Sequence, residues 1–326
     1  MRRDPFDRPA GLHPLTGRSR AIARVVDQIH HLAPTSAIVL IEGERGAGKA
    51  RVARALHLGG ARRDGPFVRA ALDASNEREA EAELFGVDED EDEDGSPRPG
   101  RLDLAEGGTL FLDGIGHAPA GLQARLPRVF RDRAFERLGG TRSHRMDVRV
   151  IAATDQDLEA EVRAGRFRED LLRRLGAVRI VMPPLRSRRE DIPALVAQFL
   201  REFNRVHARR VAGITPGALE RLTAHSWPGN VGELRDLIES MVVSAHGRMR
   251  LDLSDLPAAR SRPHGEAGLP RLAAGMTVEE AERHLVEATL KHTGGDKRRA
   301  AAMLGIGLRT LYRKIERYRL GVPAGR

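Results

Sequence analysis

The stretch "GERGAGKA" runs Gly43, Glu44, Arg45, Gly46, Ala47, Gly48, Lys49 and Ala50, and has the spacing of a loop that holds phosphate. Glycines let successive backbone N–H groups converge on one anion. A helix opening at the end of the loop adds its positive dipole end, and Lys49 brings a charge for the outer phosphates. Position 50 is alanine, where a hydroxyl usually follows the lysine. A second stretch, "GGTLFLD", is an apolar run that delivers a carboxylate, Asp113, at its end. An acid so placed can hold a divalent ion, through water, against phosphate oxygens. Together the two stretches predict a nucleoside triphosphate site.

A different chemistry stands near the C-terminus. From Gly294 to Arg326 nine Lys or Arg face only Asp296 and Glu316, a net of +7 in a chain whose total is +9. "VEEAERHLVEATLKHT" places Ala281, Leu285, Ala288 and Leu290 on one apolar face, and Gly294–Gly295 ends that helix. "DKRRAAAMLG" begins on Asp296, a good N-cap, "GIG" makes a tight turn, and Leu308, Leu311 and Ile315 recur at helical spacing after it. Two short helices about a glycine turn, the second basic outside, predict a helix-turn-helix for double-stranded DNA. Arg309, Thr310, Arg313 and Lys314 are expected on the face that enters the major groove. Lys297, Arg298, Arg299 and Arg317 are expected at phosphates, and the preceding helix at a dimer surface.

Both sites need a scaffold. "AIVLIEG", "GTLFLDG" and "VRVIAAT" read as buried parallel strands, and "KARVARALHLGG" as a helix stopped by Gly59 and Gly60. Strands alternating with helices predict an α/β, doubly wound parallel sheet with nucleotide at the strand C-termini. Pro127 is expected to interrupt the helix in "AGLQARLPRVFRD". From Ile192 the strands give way to "IPALVAQFLREFNRV", "TPGALERLTAH" and "GELRDLIESMVVSA", a helical subdomain. The expected division is a flexible lead 1–13, an α/β part 14–186, a helical part 187–256, a Pro/Gly-rich linker 257–275 and the helix-turn-helix 276–326. The chain has no cysteine, no apolar run of about 20 residues and no signal-like N-terminus, which predicts a cytoplasmic protein with no membrane span.

The ordered motifs "ELFG", "GGTLFLD", "VRVIAAT", "GRFREDLLRRL", "PPLRSRREDIP" and "WPGNVGEL" resemble the AAA+ ATPase domain of sigma-54-dependent transcriptional activators, the NtrC type. The resemblance runs from about Leu15 to Leu256 and resumes in the C-terminal unit, which is similar to the family's Fis-type DNA-binding unit. It implies an AAA+ P-loop fold with a helical lid, ATP and Mg2+ as cofactors, a ring-forming homo-oligomer dimerised through the C-terminal unit, and RNA polymerase holoenzyme as a partner. It implies inter-subunit arginine fingers at Arg168 and Arg174. No receiver or other sensory domain is expected ahead of residue 15.

The departures from the family are as informative. The glutamate that orients the attacking water is replaced by Gly114, and the asparagine that holds it falls at Ala71. The position after "AAT" is Asp155, and the lid arginine is Gly232. These losses predict nucleotide binding with slow hydrolysis; the other reading is that another acid substitutes. Between "ELFG" and the next strand the family carries the sigma-54-gripping motif "GAFTGA". This chain has seven consecutive acids there, Asp88 to Asp94. Two readings are open for that run: a negative surface for a basic partner, or a solvated loop. Three are open for the whole: a regulator that binds ATP without the sigma-54 grip, a working ATPase activator, or a decayed product that keeps only DNA binding.

Overall fold

The structure is a computed structural model describing residues 15–72, 76–88, 97–245, 248–255, 277–293 and 296–318. Residues 89–94 of the acidic run, the lead 1–13, the linker 257–275, and Gly294 and Gly295 lie outside the described residues. The chain divides into two compact units, Met1–Pro257 and Ala258–Arg326.

The first unit is built on a five-stranded parallel sheet: β1 (Val39–Glu42), β2 (Phe67–Ala71), β3 (Thr109–Asp113), β4 (Arg149–Thr154) and β5 (Arg179–Val181), in the order β2-β3-β4-β1-β5. The three central strands, β3, β4 and β1, are short, apolar and buried on both faces, as parallel strands between helical layers must be, while the edge strands β2 and β5 are partly exposed. Side chains alternate in direction along each strand. Leu110 and Leu112 therefore face one layer, with Leu84, Leu122 and Phe130, while Phe111 faces the other, with Ile22, Val52 and Leu56. That second layer holds helices α1 (Arg20–Leu32) and α2 (Lys49–Leu58). The register sets the ends of β1, β3 and β4 side by side: Glu42 opposite Thr154, and Asp113 opposite Ala153.

Helix α3 (Ala120–Asp132) corrects one expectation, since it runs unbroken through Pro127. Proline removes one N–H and costs about 3 kcal/mol inside a helix. Here Leu122, Leu126, Val129 and Phe130 are buried against the sheet, and that burial offsets the loss. After Asp191 the chain forms three lid helices, α4 (Ile192–Val206), α5 (Pro216–Ala224) and α6 (Asn230–Ser244), around the buried Trp227. Buried Asp191 ties this lid to the start of α1 by accepting from the N–H groups of Arg18 and Ser19 and from the Ser19 hydroxyl, at 2.6–2.8 Å.

In the second unit, α7 (Val278–His292), α8 (Lys297–Met303) and α9 (Leu308–Arg317) pack around Val286, Leu290, Ala300, Ala301 and Leu311. Asp296 caps α8 by accepting from the N–H groups of Arg298 and Arg299 at 3.0 and 3.1 Å. Gly305, at φ +66, makes the turn in a conformation other residues reach only under strain. Leu290 is buried as expected, but the face of α7 differs from expectation at Leu285, which is 48% exposed, and Val286 fills the core in its place. Among the described residues no helix is long and apolar enough to cross a membrane.

One buried cation fastens the two helices behind the sheet. Arg149, at the start of β4, is 3% exposed and donates to the carbonyls of Ala33 at 2.7 Å, Leu56 at 3.2 Å and Leu32 at 2.8 Å. These carbonyls belong to the C-terminal ends of α1 and α2, where a positive charge is favoured. Arg149→Met leaves them buried without donors, and is expected to lower unfolding free energy by roughly 2–4 kcal/mol. Urea unfolding of the full chain measures this.

Candidate functional site

The phosphate loop lies between β1 and α2. Gly43, Gly46 and Gly48 have φ of +154°, +74° and +110°, a sequence of left-handed turns that folds the loop around an anion-sized space. No side chain caps the first turn of α2; the Arg51 N–H already donates to the Gly48 carbonyl at 3.0 Å, which leaves the N–H groups of Lys49 and Ala50 at the helix start for a phosphate. Lys49 bends back over the loop and donates to the carbonyls of Gly43 at 2.6 Å and Glu44 at 3.1 Å. Burial pulls its ammonium below the ordinary lysine value, against the opposing pull of the Asp155 and Asp113 carboxylates. The loop, the helix start and the lysine fit a nucleotide's phosphates.

The lid closes on this loop. A Cβ at Gly46 would collide with the Gly229 carbonyl oxygen, and the Gly232 N–H donates to the Gly46 carbonyl at 3.2 Å. Asn230 donates from Nδ2 to Glu44 Oε2 and to the Arg45 carbonyl, both at 3.0 Å, and accepts from the Leu185 N–H at 2.7 Å. Arg186 grips Glu44 with two bonds of 2.6 and 2.7 Å. Its hydrogen bonds, with that of Asn230, hold the Glu44 carboxyl down to about 2. Buried Arg188 donates to the Ala47 carbonyl at 2.8 Å, and burial lowers its guanidinium to about 10. Glu44, Arg45 and Ala47 are expected only as loop members, and their partners Arg186, Arg188 and Asn230 are not among the expected site residues. The signal lay in the polar residues of "PPLRSRRED" and "PGNVG", whose partners are more than 140 residues away.

Asp113 stands at the end of β3, beside the loop, but its carboxylate is already engaged. Arg69 on β2 donates to Asp113 Oδ2 from Nε at 3.0 Å and from Nη2 at 2.7 Å. Ala50 has no hydroxyl, and Ala71, in register with Asp113, presents only a methyl. For Mg2+ the donor set falls short: one carboxylate, held by an arginine.

Gly114 follows with φ +79°, ψ +37°, a left-handed residue that opens the turn Ile115–His117. A Cβ built there would meet only the His117 ring, at 3.7 Å. His117 Nε2 lies 3.1 Å from Asp155 Oδ1, and His117 Nδ1 lies 3.2 Å from Gln156 Nε2. His117 and Gln156 were not among the expected site residues. Arg168 and Arg174 are exposed on and beside the helix Glu169–Leu175. Arg168 makes two bonds to Asp170, at 3.0 and 2.8 Å, and Arg174 donates to the Phe130 carbonyl at 3.0 Å. Of the acidic run, Asp88 is described. Arg137 pairs with Asp88 at 3.3 Å and with Asp103 at 3.0 Å.

In the second unit Arg309, Arg313 and Arg317 are exposed along α9, and Arg298 and Arg299 at the start of α8. Thr310 is half-buried. Lys314 corrects the expectation of an outward cation: it is half-buried and ion-paired with Glu282 of α7, which also accepts from the Tyr318 hydroxyl at 2.7 Å. Lys297 lies over the Tyr312 ring, 5.0 Å from its centroid. Tyr312, half exposed between Arg309 and Arg313, is a surface residue that the search for basic side chains passed over.

Comparison with known proteins agrees with this architecture. The chain matches the Sigma-54 interaction domain over residues 15–181, the AAA+ ATPase lid domain over 186–268, and the Fis family of bacterial regulatory proteins over 277–318. It is similar to the transcriptional regulatory protein ZraR of Klebsiella oxytoca, 42% identical over 316 residues, spanning 95% of this chain and 70% of that protein. It is similar also to the regulatory protein AtoC of Escherichia coli (strain K12), 39% identical over 313 residues, spanning 94% and 68%. The crystal structure of NtrX from Brucella abortus in complex with ATP superposes with a TM-score of 0.69 at 35% identity, covering 93% of this chain and 69% of that one. Its ADP complex gives 0.70 at 33% identity, covering 94% and 69%. A phosphate loop under a helical lid, a parallel AAA+ sheet and a Fis-type helix-turn-helix thus occur in one chain, and the chain belongs to the family of sigma-54-dependent transcriptional regulators of the NtrC type.

Proposed function

We propose that this protein is an ATP-binding, sequence-specific DNA-binding transcription regulator in which nucleotide occupancy sets the state of the AAA+ domain and hydrolysis is slow. The observation that carries the reading is Gly114: next to Asp113 the backbone is left-handed and carries no carboxylate. The intact loop and Lys49 support binding, and the ATP and ADP complexes of the similar NtrX structure support the same ligand. The Arg69–Asp113 pair and Ala50 weaken the case for tightly held Mg2+.

Arg168 and Arg174 are assigned as fingers reaching a neighbouring copy in a homo-oligomeric ring. Double-stranded DNA is read by Arg309, Thr310 and Arg313, with Arg298, Arg299, Lys297 and Arg317 at phosphates. The exposed Leu285 joins the dimer surface of the DNA-binding unit. The acidic run replaces the sigma-54 grip, so contact with RNA polymerase holoenzyme by the family's route is lost, and the protein acts in the cytoplasm as repressor, modulator or mixed-ring partner.

Four outcomes are expected. Turnover falls about 10²–10⁴-fold below that of an NtrC-type activator assayed alongside, while a fluorescent ATP analogue still binds and Lys49→Ala abolishes that binding. A turnover within tenfold of the reference would sink the reading. Gly114→Glu forces a side chain into left-handed backbone, which costs about 1–2 kcal/mol. It should therefore lower thermal stability and restore turnover only in part. Arg309→Ala and Arg313→Ala should each cost DNA affinity about 1–3 kcal/mol in a gel shift. Lys314→Ala should chiefly lower the melting temperature of the DNA-binding unit, because its charge is directed at Glu282.

A further inference from the structure

The carboxylate missing at position 114 has a substitute one strand away. Asp155 directly follows β4, and β4 lies beside β3 with Ala153 opposite Asp113. The turn Ile115–His117 returns toward the same place. There the three side chains form a chain: Gln156 Nε2 to His117 Nδ1 at 3.2 Å, then His117 Nε2 to Asp155 Oδ1 at 3.1 Å. With the Gln156 amide donating to Nδ1, the imidazole N–H sits on Nε2 and donates to Asp155. The histidine ring is then spent at both nitrogens, whereas Asp155 keeps lone pairs for a water molecule. The ring also covers the place where a side chain on Gly114 would begin, 3.7 Å from Cδ2. The Gly43 N–H at the head of the phosphate loop donates to the carbonyl of Thr154 at 3.2 Å, which sets the next residue, Asp155, beside the loop. Its side chain is about one-third exposed, so solvent reaches it.

We infer that Asp155 orients the attacking water in this site, held in place by His117 and Gln156 as positioning residues, and so carries the hydrolysis that remains. The inference rests on the nucleotide-binding reading above. The water oxygen forms a bond to the γ-phosphorus as the bond from that phosphorus to the β–γ bridging oxygen breaks. ADP leaves with the electron pair, the γ-phosphoryl group becomes inorganic phosphate, and the water's proton passes to Asp155 and then to solvent. Asp155 is anionic and stands near an anionic phosphate, so it weakens ground-state binding while aligning the water. Removing its charge without changing its shape should separate the two effects.

The test uses the full chain and Asp155→Asn, whose amide oxygen can still accept from His117. Three quantities are measured: affinity for fluorescent ATPγS, ATP turnover, and the gain in ADP affinity on adding aluminium fluoride, which mimics the γ-phosphoryl group in flight. Asp155→Asn is expected to bind ATPγS as tightly as the parent or up to tenfold tighter. Its turnover should fall at least tenfold and the aluminium fluoride gain should disappear. His117→Ala should lower turnover less, about three- to tenfold, with ATPγS affinity unchanged. Wild-type turnover and aluminium fluoride gain in Asp155→Asn would overturn the inference. So would a parallel loss of ATPγS affinity and turnover, which marks a structural role, or a parent protein that binds ATPγS but shows neither turnover nor gain. Failure of the parent protein to bind ATPγS refutes instead the nucleotide reading on which this one rests.

Discussion

The phosphate loop at Gly46 lies backbone to backbone against the lid turn Gly229–Gly232, with one hydrogen bond of 3.2 Å between them. A side chain on residue 46 would separate the two surfaces. Around that contact polar groups pair from one element to the other: Glu44 with Arg186 and Asn230, the Arg45 carbonyl with Asn230, and the Ala47 carbonyl with Arg188. Buried donors and acceptors that lose partners are costly. The loop and the lid are therefore a single mechanical element, and whatever moves the loop on binding phosphate is felt by the lid core around Trp227. Sterics do not explain glycine at position 232, where a Cβ would only touch Gly46 Cα at 3.5 Å. The arginine absent there was not excluded by crowding.

Charge in this molecule does two kinds of work, and composition alone confuses them. A net of +9 suggests a surface prepared for a polyanion. Yet Arg149 and Arg188 are buried and satisfy backbone carbonyls, Arg69 is committed to Asp113, and Lys314 to Glu282. Arginine suits these interior roles because its flat fork can donate to several acceptors at once. Among the described residues, the unpaired charge exposed on the helix-turn-helix is narrower than the count implies: Arg309 and Arg313 on α9 with Arg298 and Arg299 at the start of α8, since Arg317 pairs with Glu279 at 2.7 Å.

Much of the architecture was legible from the order of residues. The strands around "AIVLIEG", "GTLFLDG" and "VRVIAAT" and the lid helices are local patterns of apolar residues, and they stand where periodicity put them. The phosphate loop and the Asp296 cap were equally readable, because spacing within a few residues defines their chemistry. What escaped was long-range pairing. Arg69 and Asp113 are 44 residues apart and His117 and Asp155 are 38 apart, and no local pattern announces either pair. Pro127 was misjudged for a related reason: a rule about isolated helices was applied to one pressed against a sheet. At Leu285 and Lys314 helical spacing was right, but the direction of the face was off by about one residue. The partner helix decides that rotation, and the helix's own sequence does not.

The acidic segment begins and ends on a closed frame. Gly86 and Val87 pair antiparallel with Arg98 and Pro99, and the Val87–Asp88 end is fastened again through Leu138 and Arg137. A Cβ on Gly86 would press on the Arg98 carbonyl and the Gly100 nitrogen, so the frame tolerates little change at its own residues. What it encloses is a different matter. Because the two ends are joined to each other, the fold is indifferent to what is written between them, and lengthening such a closed loop costs little entropy. Exchanging the residues enclosed between Val87 and Arg98 therefore leaves the frame's own pairing in place, and the cost of a change there falls on the segment rather than on the sheet.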